Sequence, residues 1–306
     1  LVTEETFTVT VTDPISPPPP TANPFVAPAL AAYGADVGGG PRIKAVRGDG
    51  TTIFDQFAFE STFTGGVRVA TGDVTGDGTP DILAAAGDGG GPRVQVYDGK
   101  SGEKVRDFFA FEEGIRVGAF VASHDLNDDG FAEIIVSAGV GGGPRVTVFD
   151  GKTGTEMMNF FAFDEADRGG VTVTAGPLLS GGKLGLAVGE ASGSRVRFFD
   201  LTSTMTRELN TPLAGVGVAT FPGGIAAGSL AGTPRIQLFG DTGLSHDLTP
   251  GTGTTGVRIA STADSSLVVG VNGRVRSLAS ASNGNFSDLF QPFDAGFLGG
   301  VWVAEG

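Results

Sequence analysis

Hydrophobic and polar residues alternate in short runs along this chain, and the runs return on a fixed period. In one unit, Val67-Arg-Val-Ala-Thr, Asp81-Ile-Leu-Ala-Ala, Arg93-Val-Gln-Val-Tyr and residues Lys104 to Phe111 each read as a strand, with apolar alternation plain in Arg93-Val-Gln-Val-Tyr. Turn-forming stretches lie between them: an acidic loop from Asp73 to Gly78, a GGGP turn, and Asp98-Gly-Lys-Ser-Gly. The same order recurs around an arginine that opens the third strand of each unit, at Arg42, Arg93, Arg145, Arg195, Arg235 and Arg274, at intervals of 51, 52, 50, 40 and 39 residues. Four strands per unit and a period of 40 to 50 residues predict propeller blades rather than helical solenoids.

The end of the chain closes the argument. Gly299-Gly-Val-Trp-Val-Ala-Glu-Gly306 repeats Gly65-Gly-Val-Arg-Val-Ala-Thr-Gly72, a first strand, with no unit after it. The first unit, about residues 28 to 59, holds strands two to four but lacks a first strand. The sequence therefore predicts an all-β, six-bladed β-propeller over residues 28–306, closed by the C-terminal strand pairing into the N-terminal blade, which removes the edges of an open array.

Residues 1–27 stand apart. Glu5 to Asp13 alternates as a strand without a partner, and 14–27 is a Pro-rich linker. The strand over 1–13 resembles the last strand of an immunoglobulin-like or cadherin-like domain, and the expectation is a remnant of, or a donor to, another domain. As a donor, residues 1–16 would support self-assembly by strand addition.

Composition narrows the setting. Fifty-two glycines suit many tight turns, and the absence of cysteine excludes disulfides and thiolate chemistry without excluding secretion. A net charge of −14, from 34 acids against 20 Lys and Arg, argues against nucleic acid as a partner. No run of 18 apolar residues is present, so membrane insertion by a helix is not expected.

Candidate chemistry concentrates between strands one and two. One unit reads Asp73-Val-Thr75-Gly-Asp77-Gly78-Thr79-Pro-Asp81, the next Asp125-Leu-Asn127-Asp-Asp129-Gly130-Phe131-Ala-Glu133. Oxygen-bearing side chains at positions one, three and five of a loop that turns at glycine form a cradle suited to a hard cation. A helix-loop-helix calcium hand would place its glutamate at position twelve, which here is Ala84 or Val136 inside an apolar strand, so the acid at position nine, Asp81 or Glu133, must close the site. These loops resemble the D-x-D/N/T-x-D-G-x-x-D pattern of FG-GAP and VCBS repeats, the blades of integrin α-subunit propellers and of large bacterial surface proteins. The resemblance covers about residues 28–306 and implies two bound calcium ions. One would take side-chain oxygens of Asp73, Thr75, Asp77 and Asp81 with the Thr79 carbonyl. The other would take those of Asp125, Asn127, Asp129 and Glu133 with the Phe131 carbonyl.

The remaining units depart from the pattern. Gly176 to Leu184 keeps the loop length without a carboxylate, the stretches at Thr220 and Ser261 are short, and none is expected to hold metal. The six arginines fall on the face opposite the acidic loops. Either they capture an anionic ligand, or they are consumed by acids that follow the Phe-Ala-Phe string, Glu60, Glu112, Asp164 and, in the last unit, Asp294; bonds between blades are the preferred reading. Phe59, Phe111, Phe163 and Phe293 are read as wedges between sheets.

Enzyme chemistry finds little support. His124 and His246 occupy non-equivalent places, sialidase-type Asp boxes and the repeated tryptophans of quinone-dependent propellers are missing, and the acids that repeat are those assigned to metal. Three function classes follow, in decreasing weight. The first is a non-catalytic, calcium-stabilised interaction or adhesion module of an extracellular or cell-surface bacterial protein, binding protein or glycan through one face. The second is a structural subunit of a surface layer or filament, and the third a polysaccharide-active propeller enzyme.

Overall fold

A computed structural model describes residues 30–179, 182–221, 224–240, 243–250, 256–261, 267–271, 274–280, 285–293 and 301–305. The expected strand at 1–13, the linker at 14–27 and Asp294 lie outside the described residues. Strands β1 (Leu30–Ala35), β2 (Arg42–Arg47) and β3 (Thr52–Phe57) begin blade 1. Blade 2 is β4 (Val67–Gly72), β5 (Asp81–Ala86), β6 (Arg93–Tyr97) and β7 (Lys104–Phe109). Blade 3 is β8 (Ala119–His124), β9 (Glu133–Ala138), β10 (Arg145–Phe149) and β11 (Glu156–Phe161). Blade 4 holds β12 (Val171–Leu179), β13 (Lys183–Glu190), β14 (Arg195–Phe199) and β15 (Met205–Asn210). Blade 5 holds β16 (Val216–Phe221), β17 (Gly224–Ser229), β18 (Ile236–Gly240) and β19 (Gly243–Leu248). Blade 6 holds β20 (Arg258–Ser261), β21 (Leu267–Val271), β22 (Arg274–Ser280) and β23 (Asn285–Phe290), and β24 (Val301–Glu305) follows.

These strands form six four-stranded antiparallel sheets, and β24 lies beside β1 in the order β24-β1-β2-β3. Ala31 to Ala35 pair in register with Glu305 to Val301. The ring therefore closes as the repeat of the first strand predicts, and the chain is an all-β, six-bladed β-propeller.

Burial follows the sequence alternation in β2, where Ile43 and Ala45 are fully buried between partly exposed neighbours. Strands β5 and β9 are buried throughout, while the outer strand β7 shows the pattern of a half-solvated edge. Cores form between blades rather than within them: Leu30 and Ile43 of blade 1 share a cluster with Val67, Val69 and Ile82 of blade 2. Phe59, Phe111, Phe163 and Phe293 are all buried, and Phe59 and Phe111 each belong to a cluster spanning two neighbouring sheets. They are the expected wedges.

Two expectations about element ends need correction. The outer strand of blade 2 stops at Phe109 and not at Phe111, because the Ala110 N–H leaves the strand ladder to bond the Pro92 carbonyl at 2.8 Å and Phe111 turns inward. In blade 4, the stretch from Gly176 to Leu184 is not an open loop of the same length as its neighbours. The strands extend into it, with Gly176 facing Gly185 and Leu179 facing Lys183. With no carboxylate to wrap, the backbone completes its hydrogen bonds by lengthening the hairpin.

Candidate metal loops and the arginine face

The two acidic loops connect β4 to β5 and β8 to β9, in adjacent blades and at matching positions. Each begins with a carboxylate wrapped by the loop's own backbone. Asp73 Oδ1 accepts from the N–H groups of Gly76 (2.7 Å) and Asp77 (3.0 Å), and Oδ2 from Gly78 (2.7 Å). Asp125 accepts from Asp129 (3.3 Å) and Gly130 (2.9 Å). The wrapping needs a left-handed backbone, which Gly76 (φ 70°), Gly78 (φ 81°) and Gly130 (φ 83°) supply, while Asp128 adopts φ 59°.

Each loop ends on an acid with no solvent exposure, Asp81 or Glu133. Asp81 accepts from the backbone of Thr75 (2.8 Å) and Gly99 (3.0 Å), and the Thr75 hydroxyl stands 3.5 Å away. Glu133 accepts from the Leu126 N–H (2.6 Å) and from the Asn127 amide (3.2 Å). The intermediate acids cap the turn: Asp77 accepts from Thr79 N–H at 2.9 Å, and Asp129 from Phe131 N–H at 3.0 Å. Burial is the first cause that pushes both floor carboxyls above their ordinary range, and the like charges of Asp73 near one and of Asp125, Asp129 and Asp150 near the other add to it. Among the described residues no ammonium or guanidinium pairs with Asp81 or Glu133.

The ten expected site residues are thus gathered in two compact loops, but among the described residues no three His, Cys, Asp or Glu side chains converge as a metal-holding group. Thr75 and Asn127 stand against the buried acids instead. In donor chemistry the loops fit a hard divalent cation: oxygen atoms only, glycine-hinged backbone, and a buried negative charge without a counter-charge.

Sequence reasoning missed one member. Lys100, in the turn after β6, places its ammonium 3.0 Å from the Asp77 carboxylate and 2.9 Å from the Asp77 carbonyl. The signal was present, since Asp98-Gly-Lys100 recurs as Asp150-Gly-Lys152, and Lys152 stands 4.8 Å from the Phe131 ring centre. The loops also touch each other, because the Ala132 N–H bonds the Asp73 carbonyl at 2.7 Å and Phe131 packs over Gly76. His124, at the end of β8, is half-buried, and burial lowers its pKa.

On the opposite face the arginines are consumed structurally, with a different partner from the one expected. The main acids lie on the outer strand of the same blade: Arg42 forks onto Asp55 (2.7 and 3.0 Å), Arg93 onto Asp107 (2.7 and 2.8 Å), and Arg235 onto Asp247. The expected bonds between blades are made by Arg93 to Glu60 (3.2 Å) and Arg145 to Glu112 (3.0 Å). Arg195 instead takes Glu190 of its own blade. Each guanidinium from blades 1 to 4 also faces the wedge phenylalanine of the preceding blade, Arg42 over Phe293 (5.4 Å), Arg93 over Phe59 (5.9 Å), Arg145 over Phe111 (5.2 Å) and Arg195 over Phe163 (5.0 Å). Replacing Arg145 by Met keeps the stem and removes both contacts, and is expected to lower unfolding free energy by about 1 kcal/mol in urea denaturation. An unchanged midpoint would leave this contact without structural weight.

No family model and no curated protein matches the chain. Crystal structures of BBS1N in complex with ARL6DN, one soaked with lead and one with mercury, are similar in fold, each with a TM-score of 0.51 at 12% identity over 82% of this chain. The match covers 74% and 73% of those chains. At that identity the likeness is one of fold. No helix among the described residues is long and apolar enough to cross a membrane.

Proposed function

We propose that this chain is a non-catalytic, calcium-stabilised β-propeller interaction module of an extracellular or cell-surface protein. The observation that carries the reading is the pair of acidic loops at equivalent points of adjacent blades, each closed by a buried acid that lacks a counter-charge. Asp73, Thr75, Asp77 and Asp81 with the Thr79 carbonyl would hold one calcium ion, and Asp125, Asn127, Asp129 and Glu133 with the Phe131 carbonyl the other. Bound calcium supplies the positive charge that the buried carboxylates lack, and the loop then locks adjacent blades through the Ala132–Asp73 bond. Lys100 serves as a partial counter-charge for Asp77.

The interaction role is supported by the regular face of turns that the ring presents, and by BBS1N, a chain of similar fold that is found in complex with ARL6DN. Protein or glycan is the expected partner class. Calcium-dependent capture of a protein or a glycan by the immobilised chain, lost in chelator, is the expected outcome on protein and glycan arrays. Release of new reducing ends from a polysaccharide during the same incubation would overturn the non-catalytic reading.

A further inference from the structure

The repeat puts one side chain per blade at a matching point of the innermost strand. The residue before it is fully buried in every blade: Val301, Val67, Ala119, Val171, Val216 and Val257. The next residue is Trp302, Arg68, Phe120, Thr172, Gly217 and Arg258 in turn. Four of these six meet on the axis. The rings of Trp302 and Phe120, although two blades apart, lie 5.5 Å between centres. The Arg68 guanidinium stands 3.9 Å from the Phe120 ring centre, and that of Arg258 stands 4.8 Å from Trp302. Blades 4 and 5 contribute only Thr172 and Gly217, so one side of the ring is filled and the other is not.

A cavity of about 620 Å³ opens at that axial mouth, on the arginine face. Arg68, Arg258 and Trp302 form one wall, and Val140, Leu213 and Leu230 give the rest an apolar character. The fold does not demand a guanidinium here, since blades 4 and 5 form the same strand with Thr and Gly. Yet Arg68 is 5% exposed. Its Nη1 donates to the Ala119 carbonyl at 3.2 Å and its Nη2 to one oxygen of Asp88, while Nε has no acceptor. The Nε–Nη2 edge matches a planar two-oxygen acceptor, and only half of it is used. Asp88 is the partner able to leave, with its side chain 54% exposed. Asp36 is committed, accepting from Val37 N–H (2.9 Å), Trp302 Nε1 (3.0 Å) and Arg258.

We propose that this axial cavity binds a small organic carboxylate, whose two oxygens take the Nε–Nη2 edge of Arg68 as Asp88 swings to solvent. Its apolar body fills the space beside Leu213 and Leu230. Asp36 and Asp88, in a chain of net charge −14, favour a singly charged planar anion over a doubly charged tetrahedral one.

Trp302 is the only tryptophan of the chain, so its emission reports on this cavity alone. Titration of the full chain with benzoate is expected to give a saturable change in that emission, with benzamide and sulfate at least about tenfold weaker. Arg68→Lys, which keeps the charge and loses the fork, weakens benzoate by about tenfold or more. Ala231→Phe, at the rim, abolishes the response with unchanged melting. No saturable response up to about 10 mM benzoate, equal binding of benzamide, or unaltered binding by Arg68→Lys would each overturn the proposal.

Discussion

Deleting residues 299–306 is expected to convert the closed propeller into an aggregating or strand-swapped species. Strand β24 pairs along β1 over five residues, and Val301, Val303 and Ala304 are buried. Val301 and Val303 share a cluster with Val268 and Val275 of blade 6 and Tyr33 of blade 1, so this strand joins the last blade to the first. The approach is tight as well: a Cβ on Gly270 would come within 1.9 Å of the Val301 carbonyl oxygen. Burying a valine contributes about 1.5–3 kcal/mol, and two of them are comparable with the lower end of a folded domain's stability, about 5–15 kcal/mol. Deletion also leaves the β1 edge bare and so open to intermolecular pairing. Light scattering should report particles larger than a monomer, and the melting transition should broaden or fall. A synthetic peptide of residues 299–306 added in trans should restore both. A truncated chain that stays monomeric with unchanged melting would show that this strand does not hold the ring.

Chelation is expected to produce the second large effect. A ligand that binds only the folded chain adds about 2.7 kcal/mol per site at a hundredfold excess over its dissociation constant, so two calcium ions add roughly 5 kcal/mol. For a domain of this size that corresponds to a melting temperature lower by roughly 9 °C in the chelated protein. Glu133→Gln separates metal from structure. Burial disfavours the charged carboxyl in the metal-free fold, so its neutral isostere should leave stability in chelator unchanged or higher, while calcium raises the melting temperature by less than in the parent chain. Equal calcium stabilisation of both proteins would remove Glu133 from the site.

Much of the architecture was legible because it is repeated. Six copies of a strand pattern, and the match of Gly299–Gly306 to Gly65–Gly72, fix blade number and closure without any knowledge of contacts. The acidic loops were equally visible, as residue type and spacing in two registered copies. The pairing of arginines with outer-strand acids was not. Asp107 comes beneath Arg93 only through the register that sets Gln95 opposite Asp107, next to an irregularity between Val96 and Tyr97, and short strands of similar composition do not fix that register in advance. The axial layer was hidden for the opposite reason. Its six positions repeat in place while their residue types differ, from Trp302 to Gly217, so no motif marks them and only the closed ring brings them together. Lys100 lay between these cases, recurring as Lys152, with a reach onto Asp77 that depends on how two loops of one blade lie side by side.

Isothermal titration of the chelator-treated full chain with calcium tests the calcium-stabilised module most directly. The account predicts two ions per chain, falling to one in Glu133→Gln with the remaining site intact. Titration with no heat of binding, in a chain that is folded and melts at the same temperature with and without calcium, would contradict it.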